Sequence, residues 1–187
     1  MLSTHLLKIS VFAVTAGVAL AAAGVALAEG HSDGEGEFKA TLNGYAEVPA
    51  VLTTGSGQAT VTPSSDGKSL AVTLNFSKLA GVAQSAGLYL GLPGTTGGLI
   101  APICGGTKPT CPSAATGNVT TTITAADVLA IAAQGLAAAD LAAVNEALSN
   151  GAVYVNVLTD KFPKGEIRGQ AGRGFSVGQG IGGGRGH

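Results

Sequence analysis

Histidine, the side chain on which much acid–base and metal chemistry at neutral pH depends, is scarce in this sequence. The three histidines are His5, His31 and His187, and all of them lie near the two ends of the chain. A nucleophilic Ser or Cys needs an adjacent base, which is usually His. The central part of the sequence therefore offers no nucleophilic triad, and we predict that the protein is not an enzyme.

Carboxylates are the remaining candidates for catalysis, and two of them flank a turn near the carboxyl end. Asp160 and Glu166 enclose a segment that contains Pro163 and Gly165, and Arg168 follows Glu166 by two residues. Residues two apart on a strand share one face. Such a Glu–Arg pair more often forms ion pairs on a solvated face. We favour that structural interpretation, and a carboxylate-based enzyme is the weaker alternative.

Two cysteines, Cys104 and Cys111, are separated by Gly-Gly-Thr-Lys-Pro-Thr. Zinc thiolate sites normally have four protein ligands and cysteines two to four residues apart, and neither a further Cys nor a His lies near this pair. In an oxidising compartment, two cysteines at short spacing predict a disulfide. We therefore expect Cys104 and Cys111 to close a small loop.

The oxidising compartment is predicted by the amino terminus. Lys8 precedes an uncharged apolar run that ends in Ala26-Leu27-Ala28. A positive start, an apolar middle and small residues before the cleavage point are typical of a secretory signal peptide. We expect residues 1–28 to be removed and the product to be secreted or periplasmic, although an uncleaved anchor of similar length is the alternative.

Cleavage after Ala28 would expose Glu29-Gly30-His31 as a free terminus. An amine, two deprotonated amides and an imidazole can bind copper(II) or nickel(II) in a square plane, the geometry that these ions prefer with nitrogen ligands. Metal binding by Glu29, Gly30 and His31 is therefore an alternative function, and the competing interpretation is a solvated linker histidine. We predict no cofactor elsewhere.

The charges of the chain are few and balanced, with 10 Lys and Arg against 11 Asp and Glu. A nucleic-acid-binding surface needs a clustered basic patch, and the basic residues here are scattered singly. No second apolar stretch of spanning length follows the first. We therefore expect neither nucleic acid nor, after signal cleavage, a membrane as a partner.

Alternating apolar and polar residues predict the strands that must position these groups. Leu70 to Ser77 is the clearest case, and Ser64-Ser65-Asp66-Gly67 before it predicts a hairpin turn. Thr124 to Asp127 has the pattern of a helix cap, and we expect two short Ala-rich helices separated at Gln134-Gly135. The other predicted strands are 38–43, 57–62, 82–90, 99–103, 119–123, 152–158 and 166–171.

Short strands separated by Gly and Pro turns predict a mainly β fold, an antiparallel β-sandwich or barrel with a short Ala-rich helical insertion. Residues 29–37 are acidic and Gly-rich, and we expect a flexible segment there. Residues 38–171 are the predicted β-domain. Residues 172–187 are too Gly-rich to pack and predict a disordered tail.

Three motifs give the chain a resemblance to the CHRD (chordin-type) domain family. They are Glu47-Val48-Pro49, Gly91-Leu92-Pro93-Gly94 and the segment from Tyr154 to Gln170. The resemblance implies an immunoglobulin-like or barrel-like domain, which occurs alone in secreted microbial proteins and repeatedly in the animal chordins that bind bone morphogenetic proteins. The residues that carry the last motif are Tyr154, Asn156, Thr159, Pro163, Gly165, Glu166, Arg168 and Gly169.

The sequence departs from the family at three positions where the family typically has histidine. Gly87, Tyr89 and Leu158 stand there, and we expect them to lie on one face of the sheet. A phenol with a pKa near 10 is a poor metal ligand, so we expect no metal in the sheet. The favoured function is a secreted binding or structural module whose partner is a protein, a polysaccharide or another copy of the chain.

Overall fold

The computed structural model describes residues 36–173 of the chain. The predicted signal peptide, the Glu29-Gly30-His31 terminus and residues 174–187 lie outside the described residues. Within them the chain forms nine strands and one α-helix, with three short 3-10 helices between strands. The elements are β1 Phe38–Asn43, β2 Ser56–Pro63, β3 Ser69–Ser77, β4 Ala83–Leu90, β5 Leu99–Cys104, β6 Gly117–Thr124, α1 Leu141–Ser149, β7 Val153–Thr159, β8 Ile167–Gln170 and β9 Gly172–Arg173.

The strands form one antiparallel sheet in the order β5-β4-β7-β8-β1-β2-β3-β6, and β9 pairs with β1. The first and last strands of this order, β5 and β6, also lie against each other, so the sheet curls into a nearly closed barrel. The predicted mainly β, antiparallel class is confirmed. Because one continuous sheet carries all the strands, the barrel is the better description of the two architectures expected.

The core follows the alternation that the sequence shows. In β3 Leu70, Val72, Leu74 and Phe76 are buried and the residues between them are exposed or half-buried. The hairpin turn before β3 is also confirmed, with Asp66 Oδ1 accepting hydrogen bonds from Ser64 Oγ at 2.7 Å and Lys68 N at 3.0 Å. Gly67 has a φ of 69° there, which favours glycine.

The second of the two predicted helices is confirmed. In α1 the Asp140 side chain caps the amino end by accepting from Ala143 N at 3.0 Å, and Leu141, Val144 and Leu148 face the core. They fall at the three- and four-residue spacing of one helix face.

The helix predicted from Thr124 is wrong. Asp127 caps Thr124 as the pattern predicted, but only the 3-10 helices Ala125–Asp127 and Ala132–Gln134 form. Leu129 N instead donates to Ile100 O of β5 at 2.8 Å. Helix propensity is a weak preference, and here it gives way to hydrogen bonds with the barrel.

The predicted disulfide between Cys104 and Cys111 is present and joins the end of β5 to the loop that follows it. Inside this loop, Lys108 Nζ lies 2.8 Å from Asp127 Oδ1 and donates to Thr122 O at 2.9 Å. The loop therefore links β5 to β6. Among residues 36–173, no helix has the length and apolarity needed to cross a bilayer.

Candidate functional site

Residues of the last motif and of other segments form two largely buried clusters, one on each side of the β7–β8 pair. We call the first the Arg168 cluster, which comprises Glu47, Tyr89, Tyr154, Asn156 and Arg168. The register places Asn156 opposite Arg168 and Tyr89 opposite Tyr154, so these side chains share the face that points away from the core. The second, the Glu166 cluster, comprises Thr53, Thr159 and Glu166.

Arg168 is the centre of the first cluster and is only 2% exposed. Its guanidinium carbon lies 3.4 Å from the centroid of the Tyr154 ring, and the Tyr89 ring stacks on Tyr154 at 5.3 Å between centroids. A guanidinium over an aromatic face gains from the ring quadrupole and keeps its N–H groups free for hydrogen bonds. Arg168 Nη2 uses one of them to donate to Leu92 O at 3.1 Å.

That hydrogen bond belongs to a set that fixes residues 91–98, which we call the second motif loop because it begins with the Gly91-Leu92-Pro93-Gly94 motif. Gly97 N donates to Tyr154 Oη at 3.1 Å. Gln170 Nε2 donates to Gly91 O at 2.8 Å. The second motif loop is therefore held against β7 and β8 by side chains of the last motif.

Glu47 belongs to the Glu47-Val48-Pro49 motif and places this motif in the Arg168 cluster. Its side chain is 8% exposed, and burial raises its pKa from 4.5 to about 7 although the Arg168 charge acts in the opposite direction. Glu47 Oε1 lies against Gly165, and so does the Asn156 amide. All three motifs of the resemblance thus meet at this cluster, and residues 44–54, the first motif loop, are held there by Glu47.

Glu166 occupies the second cluster and is fully buried. Its carboxylate accepts hydrogen bonds from Thr53 Oγ1 at 2.6 Å, Thr159 Oγ1 at 2.9 Å and Ala80 N at 2.6 Å. Gly81 N donates as well, at 3.3 Å. A buried carboxylate is stable only when it is hydrogen-bonded in this way, and here it ties two loops to the barrel.

The expected cross-strand ion pairs of Glu166 and Arg168 on a solvated face are therefore wrong, since both side chains are buried and have other partners. Glu166 precedes β8 and follows Gly165, whose φ is 134°, so the strand alternation that predicts a shared face does not apply to it. Asp160 is also engaged, because its Oδ1 accepts from Val82 N at 2.8 Å. Asp160 and Glu166, the two carboxylates of the catalytic alternative, thus accept hydrogen bonds from backbone N–H groups.

The other motif residues shape the backbone. Phe162 N donates to Thr159 Oγ1 at 3.1 Å, which closes the turn that contains the exposed Pro163. A Cβ on Gly169 would lie 2.5 Å from Thr41 O of β1. Glycine is therefore needed where β1 crosses close to β8.

The three positions where the family typically has histidine lie on one face, as the sequence predicts. Gly87 pairs with Asn156, Tyr89 with Tyr154 and Leu158 with Ser85. The Leu99 side chain occupies the space that a Cβ on Gly87 would take. Among the described residues, no group of three His, Cys, Asp or Glu side chains is arranged to hold a metal ion.

Sequence reasoning placed the motifs but missed their meeting point. Thr53, Leu92 and Gln134 carry no signal of their own, and Gln134 Nε2 donates to Leu90 O at 3.0 Å to help close the second motif loop. Glu47 and Gly165 both belong to the motifs, but more than a hundred residues of sequence separate them. The one available signal is Gly165 itself, since glycine often stands where another group approaches the backbone closely.

Comparison with known proteins supports the family resemblance that the three motifs indicate. The family model for the CHRD domain matches residues 38–171, which begin at β1 and end just before β9. Neither the comparison with curated proteins nor that with solved structures gave a match. The match covers most of the chain and includes every residue of both clusters, and the chain therefore belongs to the CHRD domain family.

Proposed function

We propose that the protein is an exported, non-catalytic binding module whose partner docks on the first and second motif loops. The observation that carries this proposal is that buried motif residues hold two loops whose own apolar side chains are exposed. Arg168 and Glu166 are buried and hold the loops, Arg168 through Leu92 O and Glu166 through Thr53 Oγ1. The loops that they hold turn large apolar side chains outward.

These apolar side chains lie on both loops. Leu52 is 84% exposed and Tyr45 is 73% exposed on the first motif loop, and Leu92 is 55% exposed on the second. Exposed aromatic and aliphatic side chains on loops fixed by a rigid scaffold are typical of protein-binding surfaces. A protein with an apolar surface fits better than a charged polymer, and self-association through the same loops belongs to the same proposal.

The test is photo-crosslinking in the producing cell. A photoreactive amino acid replaces Leu52 in one variant and Leu92 in another, and Leu129 serves as the matched control because it is an exposed leucine between β6 and α1. We expect a discrete crosslinked product from positions 52 or 92 and none from position 129. A product of twice the chain mass would identify self-association. Equal crosslinking at all three positions, or none, would contradict the proposal.

Copper(II) or nickel(II) binding by Glu29, Gly30 and His31 remains the alternative, and it rests on the sequence alone. It predicts that the exported chain binds one copper ion and that His31→Ala abolishes binding. One extra residue before Glu29 should abolish it as well, because the free amine would move. Retained stoichiometric copper binding in either variant would exclude this site.

A further inference from the structure

Two buried oxygen atoms in the Arg168 cluster lie against the same glycine, Gly165, and lack a hydrogen-bond donor within the described part of the chain. They are Glu47 Oε1 and Asn156 Oδ1, and neither has a partner among the described residues. They lie 2.5 Å and 2.6 Å from the position that a Cβ on Gly165 would take, so both press on the same glycine. A buried acceptor without a donor is costly, and one proton shared between these two oxygens would satisfy both.

The Asn156 amide cannot supply that proton by turning over. In the structure its Nδ2 donates to Lys164 O at 3.4 Å. Turning the amide over would bring Oδ1 to this carbonyl, and two acceptors would then face each other. The orientation shown is therefore the favoured one, and a protonated Glu47 carboxyl is a donor placed beside the same glycine as Asn156 Oδ1.

We propose that Glu47 carries a proton in the folded protein and donates it in a hydrogen bond to Asn156 Oδ1, which makes the first motif loop a proton-sensitive latch. One proton then satisfies both oxygens. The latch goes beyond the proposed function, and it holds whether or not a partner docks on the loops.

The charged and titratable groups around Glu47 come from three elements. Arg168 of β8 favours the carboxylate, and Tyr89 of β4 faces it with a phenol whose pKa is raised by burial, by Tyr154 and by Glu47. Lys164, in the turn before β8, is exposed to solvent. Burial outweighs Arg168 and places the pKa of Glu47 at about 7, which agrees with the geometric argument.

The direction of the pH effect follows from linkage. Below the ordinary pKa of 4.5, Glu47 is protonated in the folded and the unfolded chain alike. Between that pH and about 7 the unfolded chain loses the proton while the folded protein keeps it. The stability of the folded protein therefore falls as pH rises through this window. Above it, an ionised Glu47 has no donor for Oε1 and faces the Asn156 oxygen.

The loop that should loosen is short and is anchored by few bonds. Glu47 N donates to Gly44 O at 3.2 Å, and Val51 N donates to the same carbonyl at 2.8 Å. The Glu47 side chain fixes this turn to β7 and to Gly165. Without the proton, the Gly44 carbonyl and the Asn43 side chain, which accepts from Ala46 N at 3.0 Å, hold the part of the loop that carries Tyr45.

The first measurement is an NMR titration of the Glu47 side-chain carboxyl carbon in the unmodified protein. We expect a midpoint near pH 7, as burial predicts. A midpoint below about 5, the range of an ordinary glutamate, would overturn the latch. This measurement needs no variant and decides the question even if substitutions at this position unfold the chain.

The second measurement compares thermal unfolding at about pH 5 and about pH 8 for the unmodified protein, Glu47→Gln and Glu146→Gln. Glu146 is an exposed glutamate of α1, so the control makes the same chemical change elsewhere. We expect the unmodified protein and Glu146→Gln to lose several degrees between the two pH values. Glu47→Gln, whose amide can donate at any pH, should lose less than half as much. An equal loss in Glu47→Gln would overturn the proposal.

Discussion

The guanidinium of Arg168 makes two contacts that differ in geometry, one with its flat face and one with its edge. The face lies on the Tyr154 ring, and the edge donates to Leu92 O. A lysine ammonium is a compact charge without a flat face, so it cannot make both contacts from one position. The identity of this residue therefore decides how firmly the second motif loop is held.

Arg168→Lys should lower the free energy of unfolding by about 2 kcal/mol, since the Tyr154 ring loses its stacked partner and the hydrogen bond from Arg168 to Leu92 O is lost. Denaturant unfolding measures this loss, and limited proteolysis should show earlier cleavage within residues 91–98. Arg173→Lys is the matched control, because Arg173 also lies over an aromatic ring, Phe38, but is exposed. A loss in Arg168→Lys no larger than in Arg173→Lys would contradict the assignment.

Gly165 holds the Glu47 and Asn156 side chains at contact distance. Gly165→Ala should cost about 3 kcal/mol, because the methyl group would overlap both side chains and φ is positive. Gly135→Ala is the control, since Gly135 has a φ of 77° but open space around its Cβ position. It should cost about 1 kcal/mol, the price of the backbone conformation alone. Equal losses in the two variants, measured by urea unfolding, would show that the overlap is relieved.

Among the elements, β9 is the shortest and lies just beyond the matched family region. Its two residues continue the sheet, with Phe38 opposite Arg173 and Lys39 opposite Gly172. The sequence analysis assigned them to the tail because Gly-rich segments rarely pack. Pairing with β1 gives them backbone partners that composition does not reveal.

A chain of residues 36–173 should therefore be more stable than one of residues 36–171. The expected difference is about 1 kcal/mol, since the longer chain keeps the β9 pairing and the cover that Arg173 gives to Phe38. Thermal unfolding of the two chains measures it. Identical midpoints would show that β9 contributes nothing to the domain.

For the whole molecule, the decisive feature is the closure of the barrel between β5 and β6. The disulfide loop spans this gap, because Lys108 contacts both Asp127 and Thr122 O. Closure removes the exposed sheet edges that would otherwise invite pairing with other chains. The loop therefore contributes to stability and to the protection of the sheet edges at this gap.

Replacing both Cys104 and Cys111 with Ala should lower the free energy of unfolding by about 2.5 kcal/mol, the loop-closure entropy of so short a ring. A reducing agent added to the unmodified protein should have the same effect in denaturant unfolding. The variant should also aggregate sooner on heating, because the β5 and β6 edges open. A stability equal to that of the oxidised protein would contradict a role in closure.

Local pattern determined most of the elements. The alternation in β3, the Asp66-Gly67 turn, the capped face of α1 and the pairing of Cys104 with Cys111 were all predicted and are present. Each of them depends on residues within about ten positions of one another, and such features are written in the spacing of the side chains. The motifs likewise identified the family.

The tertiary structure alone decided what the motif residues do. Alternation tells which face a side chain takes and leaves open which strands are neighbours. The meeting of Glu47 with Gly165, the hold of Arg168 on Leu92 and the burial of Glu166 all join distant segments. A further long-range hydrogen bond, from Leu129 N to Ile100 O, replaced the helix predicted from Thr124. These contacts form only once the barrel curls, because their free energy comes from burial and from pairing buried polar groups.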